Sequence, residues 1–357
     1  MSTQKALILE QAKAPFVLDT VPIPSPGLGE VLVKVKASAL NPVDCAIQAW
    51  GIIVTSYPTI LGRDIAGDVE QLGKDVQGLS KGDRVFFKSQ FFRTEYGGFQ
   101  QYALVSASSL GKVPSHISYD QAASIPLTFT TAAVGLLPEK PHGAGLSPTL
   151  DPSVKFPNES ALVIGGGTSV GQFAIQILNF LGFKTIITYA SAKHTDYLKS
   201  LGATHLVDRS RFRSITSAPI KTVYVAVLMP MPGTQDAGYA CLAPGGQMIV
   251  AIPEPVKREE DPEGRRVIGI NASAPYYAGF MDIMWKKLPK MVEDGAVVPN
   301  RVEVLPNGLV SIVDGLKRLQ NGEVSGVKLV VHPQETPIGE LTANLECLMN
   351  TVRQHTV

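Results

Sequence analysis

The stretch Ala161-Leu162-Val163-Ile164-Gly165-Gly166-Gly167-Thr168-Ser169-Val170-Gly171 restricts this chain more than any other. An apolar run meets a glycine cluster, and residues 172–182 carry the spacing of an amphipathic helix. A strand, a glycine turn and a helix in immediate succession bring backbone N–H groups and the positive end of a helix up to an anion, above all the pyrophosphate of a dinucleotide. The match to G-x-G-x-x-G is incomplete. Gly166 and Gly171 hold the ends, and Thr168 takes the middle position, where its side chain would crowd the phosphate. Taken alone, the same residues also suit a tight turn that binds nothing.

The pattern continues downstream. Strands expected at residues 184–189, 205–208, 223–228 and 247–252 alternate with helices at 170–181, 195–201 and 235–242. This rhythm predicts a doubly wound parallel sheet that binds its ligand at the carboxyl ends of the strands. The first third reads differently. Strands at 5–9, 16–20 and 30–37 are separated by turns rich in Gly, Pro and Asp, and Lys81-Gly82-Asp83-Arg84-Val85 reads as a turn delivering another strand. Many short strands of this kind predict a small β barrel. Residues 129–137 read as a linking helix, and 138–158, with five prolines, as a surface loop. At the end come a helix at 283–294, a strand at 302–304, a helix at 309–320 and a closing strand at 328–331.

Composition narrows the function classes. The chain has 357 residues, enough for two domains, with 32 basic against 31 acidic side chains. That balance points to neither nucleic acid nor an anionic membrane. Cys45, Cys241 and Cys347 stand apart, offering neither a disulfide framework nor C-x-x-C spacing. With a polar start and no apolar stretch near the roughly 20 residues of a membrane span, the expectation is a cytoplasmic protein without a signal peptide.

The order of motifs resembles the medium-chain dehydrogenase/reductase superfamily, in particular its zinc-free quinone-oxidoreductase and enoyl-reductase branch. The carrying residues are Asn41-Pro42-Val43-Asp44, Gly62-Arg63-Asp64-Ile65-Ala66-Gly67, Lys81-Gly82-Asp83-Arg84-Val85, Gly97-Gly98-Phe99-Gln100-Gln101-Tyr102 and Ala122-Ala123-Ser124-Ile125-Pro126 with Thr130-Thr131-Ala132. The glycine turn, Leu201-Gly202-Ala203, Pro244-Gly245-Gly246 and Gly322-Glu323-Val324-Ser325-Gly326-Val327-Lys328 complete the series. The resemblance implies an α/β protein with a GroES-like β-barrel catalytic domain at 1–125 and 296–357, around a Rossmann cofactor-binding domain at 126–295. The insertion before the first Rossmann strand is similar to that of fungal enoyl reductases that serve polyketide synthases in trans, and equally suits a tolerated insertion.

Zinc-dependent relatives place a Cys where this chain has Asn41, a His-Glu pair where it has Arg63-Asp64, and a third ligand near Pro126-Leu127; none of these is a Cys or His here. The loop that holds a structural zinc in those relatives carries four Cys, and residues 86–98 carry none. The expectation is no metal, with Asp44, Asp64 and Cys45 serving hydrogen bonding and packing.

The resemblance also implies a cofactor. Residues 188–194 after the second Rossmann strand hold no acid to accept from a ribose 2′-hydroxyl; Ser191, Lys193 and His194 lie there, and Arg209 follows Asp208. This favours NADPH, against the alternative of solvated cations at a helix start. Gly166, Thr168, Ser169 and Val170 would lie under the pyrophosphate, and Ala251 and Ile252 beside the nicotinamide. Asn41 and Thr131 are the expected catalytic positions, and Asp44 and Lys328 further cofactor contacts. Asp44 equally suits a turn cap, and Lys328 an exposed strand residue.

Without a Lewis acid, the implied chemistry is hydride transfer to the C=C bond of an α,β-unsaturated carbonyl. Tyr57, Tyr96 and Tyr276 are the candidate proton donors, each also suited to a structural place. Tyr276, Tyr277 and Phe280 suit either a pocket or the core. The expected partner is a small unsaturated carbonyl, with a polyketide synthase or acyl carrier as a second, and the expected state is a monomer or homodimer. A quinone oxidoreductase and a non-catalytic NADPH-binding protein remain as alternatives.

Overall fold

Side-chain alternation builds the first body of the molecule. The computed structural model describes residues 2–90, 93–208, 220–227, 233–252, 255 and 261–337. Arg209, Leu228 and most of 254–261 lie outside the described residues. Strand β1 (Thr3–Leu9) pairs antiparallel with β2 (Phe16–Pro22). In β3 (Glu30–Ala39), Val31, Val33 and Val35 are buried while Lys34 and Lys36 are half-buried, as a strand with one core face requires.

The segment Asn41-Pro42-Val43-Asp44, whose Asp44 also suits a turn cap, is the start of a helix, α1 (Pro42–Trp50). Proline at the first helical position gives up an N–H that the helix would leave unpaired, so the same residues serve a helix start. The helix ends at Gly51, whose φ of 66° suits glycine. Then follow β4 (Thr59–Ile60), β5 (Asp64–Leu72), β6 (Arg84–Lys88), β7 (Tyr102–Ser106), β8 (Leu110–Lys112), α2 (Tyr119–Ala123) and α3 (Pro126–Leu136).

The wound body follows: β9 (Ser160–Ile164), α4 (Ser169–Phe180), β10 (Thr185–Ala190), α5 (Thr195–Ser200), β11 (His205–Asp208), β12 (Ile220–Val225), α6 (Thr234–Ala240), β13 (Leu242–Val250), β14 (Arg266–Gly269) and α7 (Ala278–Glu293). Its described strands are ordered β11-β10-β9-β12-β13-β14, every neighbouring pair parallel. The chain then returns through β15 (Val302–Leu305), α8 (Ile312–Gln320) and β16 (Lys328–Val331).

That return shapes the site. β16 pairs antiparallel with β3, Val330 opposite Ala39 and Val331 opposite Ser38, within a sheet ordered β15-β16-β3-β5-β6-β8 to which β7 adds by pairing with β3. It carries Lys328 to the start of α1 across 287 residues of chain.

One continuous core joins both bodies, from Val33 and Phe86 to Phe173 and Ile249. The Phe129 and Phe173 rings meet edge to face at 5.7 Å, locking α3 against α4. The proline-rich segment 138–158 is more than the expected surface loop. Ala144 and Leu150 are buried, Gln247 donates to the Ala144 carbonyl at 2.9 Å, and Tyr277 donates to the His142 carbonyl at 2.8 Å. Its prolines break helix periodicity, but its backbone carbonyls find donors on the parallel sheet and on α7's approach. Tyr277 and Phe280 are core residues, while Tyr276 is 52% exposed and stacks on His142. Among the described residues no helix is long and apolar enough to cross a membrane.

Candidate active site

Two groups of residues meet where the bodies join. The first is the glycine turn between β9 and α4. Gly165 sits at φ +86°, and a Cβ on Gly166 would lie 1.8 Å from the Thr188 hydroxyl oxygen on β10, so the turn packs against the sheet only because both lack side chains. Thr168 is the N-cap of α4, accepting from Gly171 N at 3.0 Å. Its own proton has the carbonyls of Gly165 at 2.9 Å and Ala226 at 3.0 Å within reach. The hydroxyl is therefore drawn into the turn. The backbone of the turn thus consumes the polar group of Thr168. Ser169 and Val170 open the helix, where N–H groups precede the helix's own ladder and attract an anion.

Ser191, Lys193 and His194 follow the carboxyl end of β10. The His194 Nε2 lies 2.9 Å from the Ser325 hydroxyl, tying this corner to the segment that precedes β16. Burial and the nearby charges of Lys193 and Arg301 lower the His194 pKa. An acid is nearby after all: Asp208, at the end of β11, accepts from Ala192 N at 2.8 Å. Strand pairing brings it there, 16 residues on, so reading residues 188–194 alone misses it. Ala251 and Ile252 follow β13 on the same carboxyl edge.

The second group is a buried charge cluster. Asn41 donates from Nδ2 to Asp64 at 2.9 Å, and its Oδ1 accepts from the Lys328 ammonium. Lys328 lies 3.0 Å from Asp64. Asp64 also accepts from Leu127 N at 2.5 Å, in the first turn of α3, where the helix end favours a carboxylate. Asp44 accepts from Asn41 N at 2.9 Å and closes the first turn of α1. Burial pushes its pKa up to about 7, against the opposing pull of backbone N–H groups and Arg63. Arg63, 3% exposed, is lowered to about 9 by burial. Lys88, at the end of β6, is lowered to about 7, first by burial and then by the charge of Arg63.

The structure thus brings Asn41, Asp44 and Lys328 together, and Lys328 is not the exposed strand residue that alternation also allowed. Thr131 lies one turn beyond Leu127 on α3, its hydroxyl donating to the Leu127 carbonyl at 2.8 Å. Lys88 was not among the sequence candidates; its signal is a lysine closing an apolar strand, Val85-Phe86-Phe87-Lys88. Of the candidate tyrosines, Tyr96 spends its hydroxyl on Glu30 and is pushed up to about 12, mainly by burial, and Tyr57 donates to the Val54 carbonyl at 3.4 Å.

A divalent metal does not fit the cluster. The positions where zinc-dependent relatives hold ligands are joined here by an ammonium, which repels a cation. Cys45, whose thiol burial pushes up to about 12, donates to the Leu316 carbonyl at 3.4 Å. Among the described residues no group of three or more His, Cys, Asp or Glu is placed to hold a metal ion.

The first body matches the family described as Alcohol dehydrogenase GroES-like domain over residues 27–115, and the wound body matches that described as Zinc-binding dehydrogenase over 169–258. The chain belongs to the medium-chain dehydrogenase/reductase superfamily, oxidoreductases that bind nicotinamide cofactors, and to its enoyl-reductase-like branch. It is similar to Dehydrogenase azaJ of Aspergillus niger, 32% identical over 93% of this chain and 99% of the relative. It is also similar to Trans-enoyl reductase tndF of Aspergillus flavipes, 30% identical over 92% of this chain and 98% of the relative. Among solved structures, the quinone oxidoreductase from Coxiella burnetii superposes with a TM-score of 0.71 at 25% identity, over 92% of this chain and 99% of that one.

Proposed function

We propose that this protein is a zinc-independent, NADPH-dependent reductase of the C=C bond in α,β-unsaturated carbonyls. The observation that carries the reading is the Lys328 ammonium between Asn41 and Asp64, because it fills with fixed positive charge the place where relatives keep a metal. NADPH would supply hydride. The chain's own residues bind and orient: the backbone of Gly166, Thr168, Ser169 and Val170 cradles the pyrophosphate, Ser191, Lys193 and His194 (with Arg209, outside the described residues) receive the 2′-phosphate, and Ala251 and Ile252 border the nicotinamide. Asn41 and Thr131 flank the reacting atoms, with Asp44 and Lys328 holding Asn41 in place. The same reading assigns the catalytic domain to 1–125 and 296–357, the cofactor domain to 126–295, and the protein to the cytoplasm.

The relative tndF, named a trans-enoyl reductase, supports an enoyl substrate carried on an acyl carrier or polyketide synthase. The likeness to a quinone oxidoreductase supports quinones as the second substrate class. Fluorescence titration with NADPH and NADH, repeated on Lys193→Ala, tests the cofactor. The reading predicts tighter NADPH binding, with the preference lost in the variant; equal binding of both by the wild type contradicts it. Turnover of an enoyl thioester and a quinone under the same conditions then ranks the substrates.

A further inference from the structure

Lys88 closes β6 opposite Asp64 and points across the joint between the two bodies. Its ammonium donates to the Ala272 carbonyl at 2.8 Å. Ala272 belongs to the loop that leaves the carboxyl end of β14, the edge of the parallel sheet where such folds hold their ligands. Its chain neighbours Phe87 and Ser89 are buried, whereas Lys88 is half-buried.

Its pairing separates it from Lys328. Lys328 spends its charge on Asp64 and Asn41. Lys88, among the described residues, has one hydrogen bond, to a neutral carbonyl, and no carboxylate within ion-pairing distance. An ammonium carries three donors, so two remain for another acceptor. A lysine withdrawn from water without a counterion is costly, and the charged groups facing it, Arg63 and Asp64, act on it in opposite senses. Such an ammonium is best satisfied by an oxygen that becomes negative.

We propose that Lys88 is the oxyanion donor of this site, hydrogen-bonding the substrate carbonyl oxygen as it takes up charge. This rests on the reading of the protein as an enoyl reductase. Hydride reaching the β-carbon, which a bound reduced nicotinamide would supply, would send the C=C electron pair to join the α-carbon and carbonyl carbon and the C=O pair onto oxygen. Lys88 stabilises that enolate and passes a proton to its oxygen, giving an enol; the neutral amine recovers its proton from water. The enol takes a proton at the α-carbon and releases the one on oxygen, leaving the saturated carbonyl. A lysine lowered to about 7 by burial populates both required protonation states near neutrality.

The test uses the full chain with NADPH and an enoyl thioester. Lys88→Met is expected to lower kcat by about 10²–10³-fold, as for loss of one oxyanion donor, with the NADPH Kd unchanged and the thermal midpoint no lower than that of the wild type. Lys88→Gln, which keeps a neutral donor, is expected to fall between them. Reductive methylation with labelled formaldehyde gives a readout on cofactor-free protein: one dimethyl-lysine signal should titrate well below the others and vanish in Lys88→Met. A kcat for Lys88→Met within twofold of an active wild type overturns the proposal alone, as does the absence of a low-titrating signal. A wild type that reduces no enoyl thioester overturns both this proposal and the reading beneath it.

Discussion

The Lys328 ammonium lies 3.0 Å from the Asp64 carboxylate, in an interior where the two side chains are 4% and 0% exposed. The pair is held from both sides, by Asn41 Nδ2 and by the first turn of α3 on Asp64, and by Asn41 Oδ1 on Lys328. Four remote segments are thereby fixed at one point: the start of α1, the start of β5, the start of α3 and the start of β16.

Breaking one side of the pair should therefore cost more than removing it whole. Lys328→Met leaves the Asp64 carboxylate buried without its cation, a loss of about 3–5 kcal/mol. The double variant Lys328→Met/Asp64→Asn should recover much of that. Urea unfolding of the two singles and the double, read as a double-mutant cycle, measures the coupling.

Asp44 predicts a pH dependence. Its folded-state pKa is raised from 3.8 to about 7, so between those values the folded chain holds a proton that the unfolded chain has released. Stability contributed by the protonated form is complete below the lower value and declines as pH rises, by up to about 1.4 kcal/mol per pH unit. Comparing wild type with Asp44→Asn across that window, the wild type should lose ground as pH rises; parallel profiles would show that Asp44 does not titrate there.

Thr168 should act through the turn. Thr168→Val removes the N-cap acceptor for Gly171 and the donor to Gly165 or Ala226. The expected loss is about 1–2 kcal/mol of stability, together with weaker dinucleotide binding, whereas Thr168→Ser should retain both. Thermal unfolding and a fluorescence titration on each variant check this.

Neighbouring glycines should differ. A Cβ on Gly166 meets the Thr188 hydroxyl at 1.8 Å, whereas one on Gly167 meets only His194, at 3.4 Å. Gly166→Ala should push the turn off the sheet and weaken folding and cofactor binding together, while Gly167→Ala should leave the thermal midpoint near that of the wild type.

The wound sheet was legible because each element announces itself locally. The apolar run at 161–164 and the glycines after it mark strand and turn without reference to anything distant. Helix α1 was less legible, since Asn41-Pro42-Val43-Asp44 serves a turn and a helix start equally well. The charge cluster was legible only in part. Asn41, Asp44 and Lys328 stand in motifs, but Lys88 does not, and Asn41 and Asp64 meet from 23 residues apart through strand pairing that no local pattern encodes. Asp208 beside Ala192 escaped for the same reason.

The most direct test of the account is whether reduction proceeds without metal. Purified protein is treated exhaustively with a chelator, its metal content measured, and NADPH-dependent reduction of an enoyl thioester followed before and after. An unchanged rate is expected in metal-free protein, because Asp64 and Asn41 are already held by the Lys328 ammonium. A rate that collapses on chelation and returns with added zinc would contradict it.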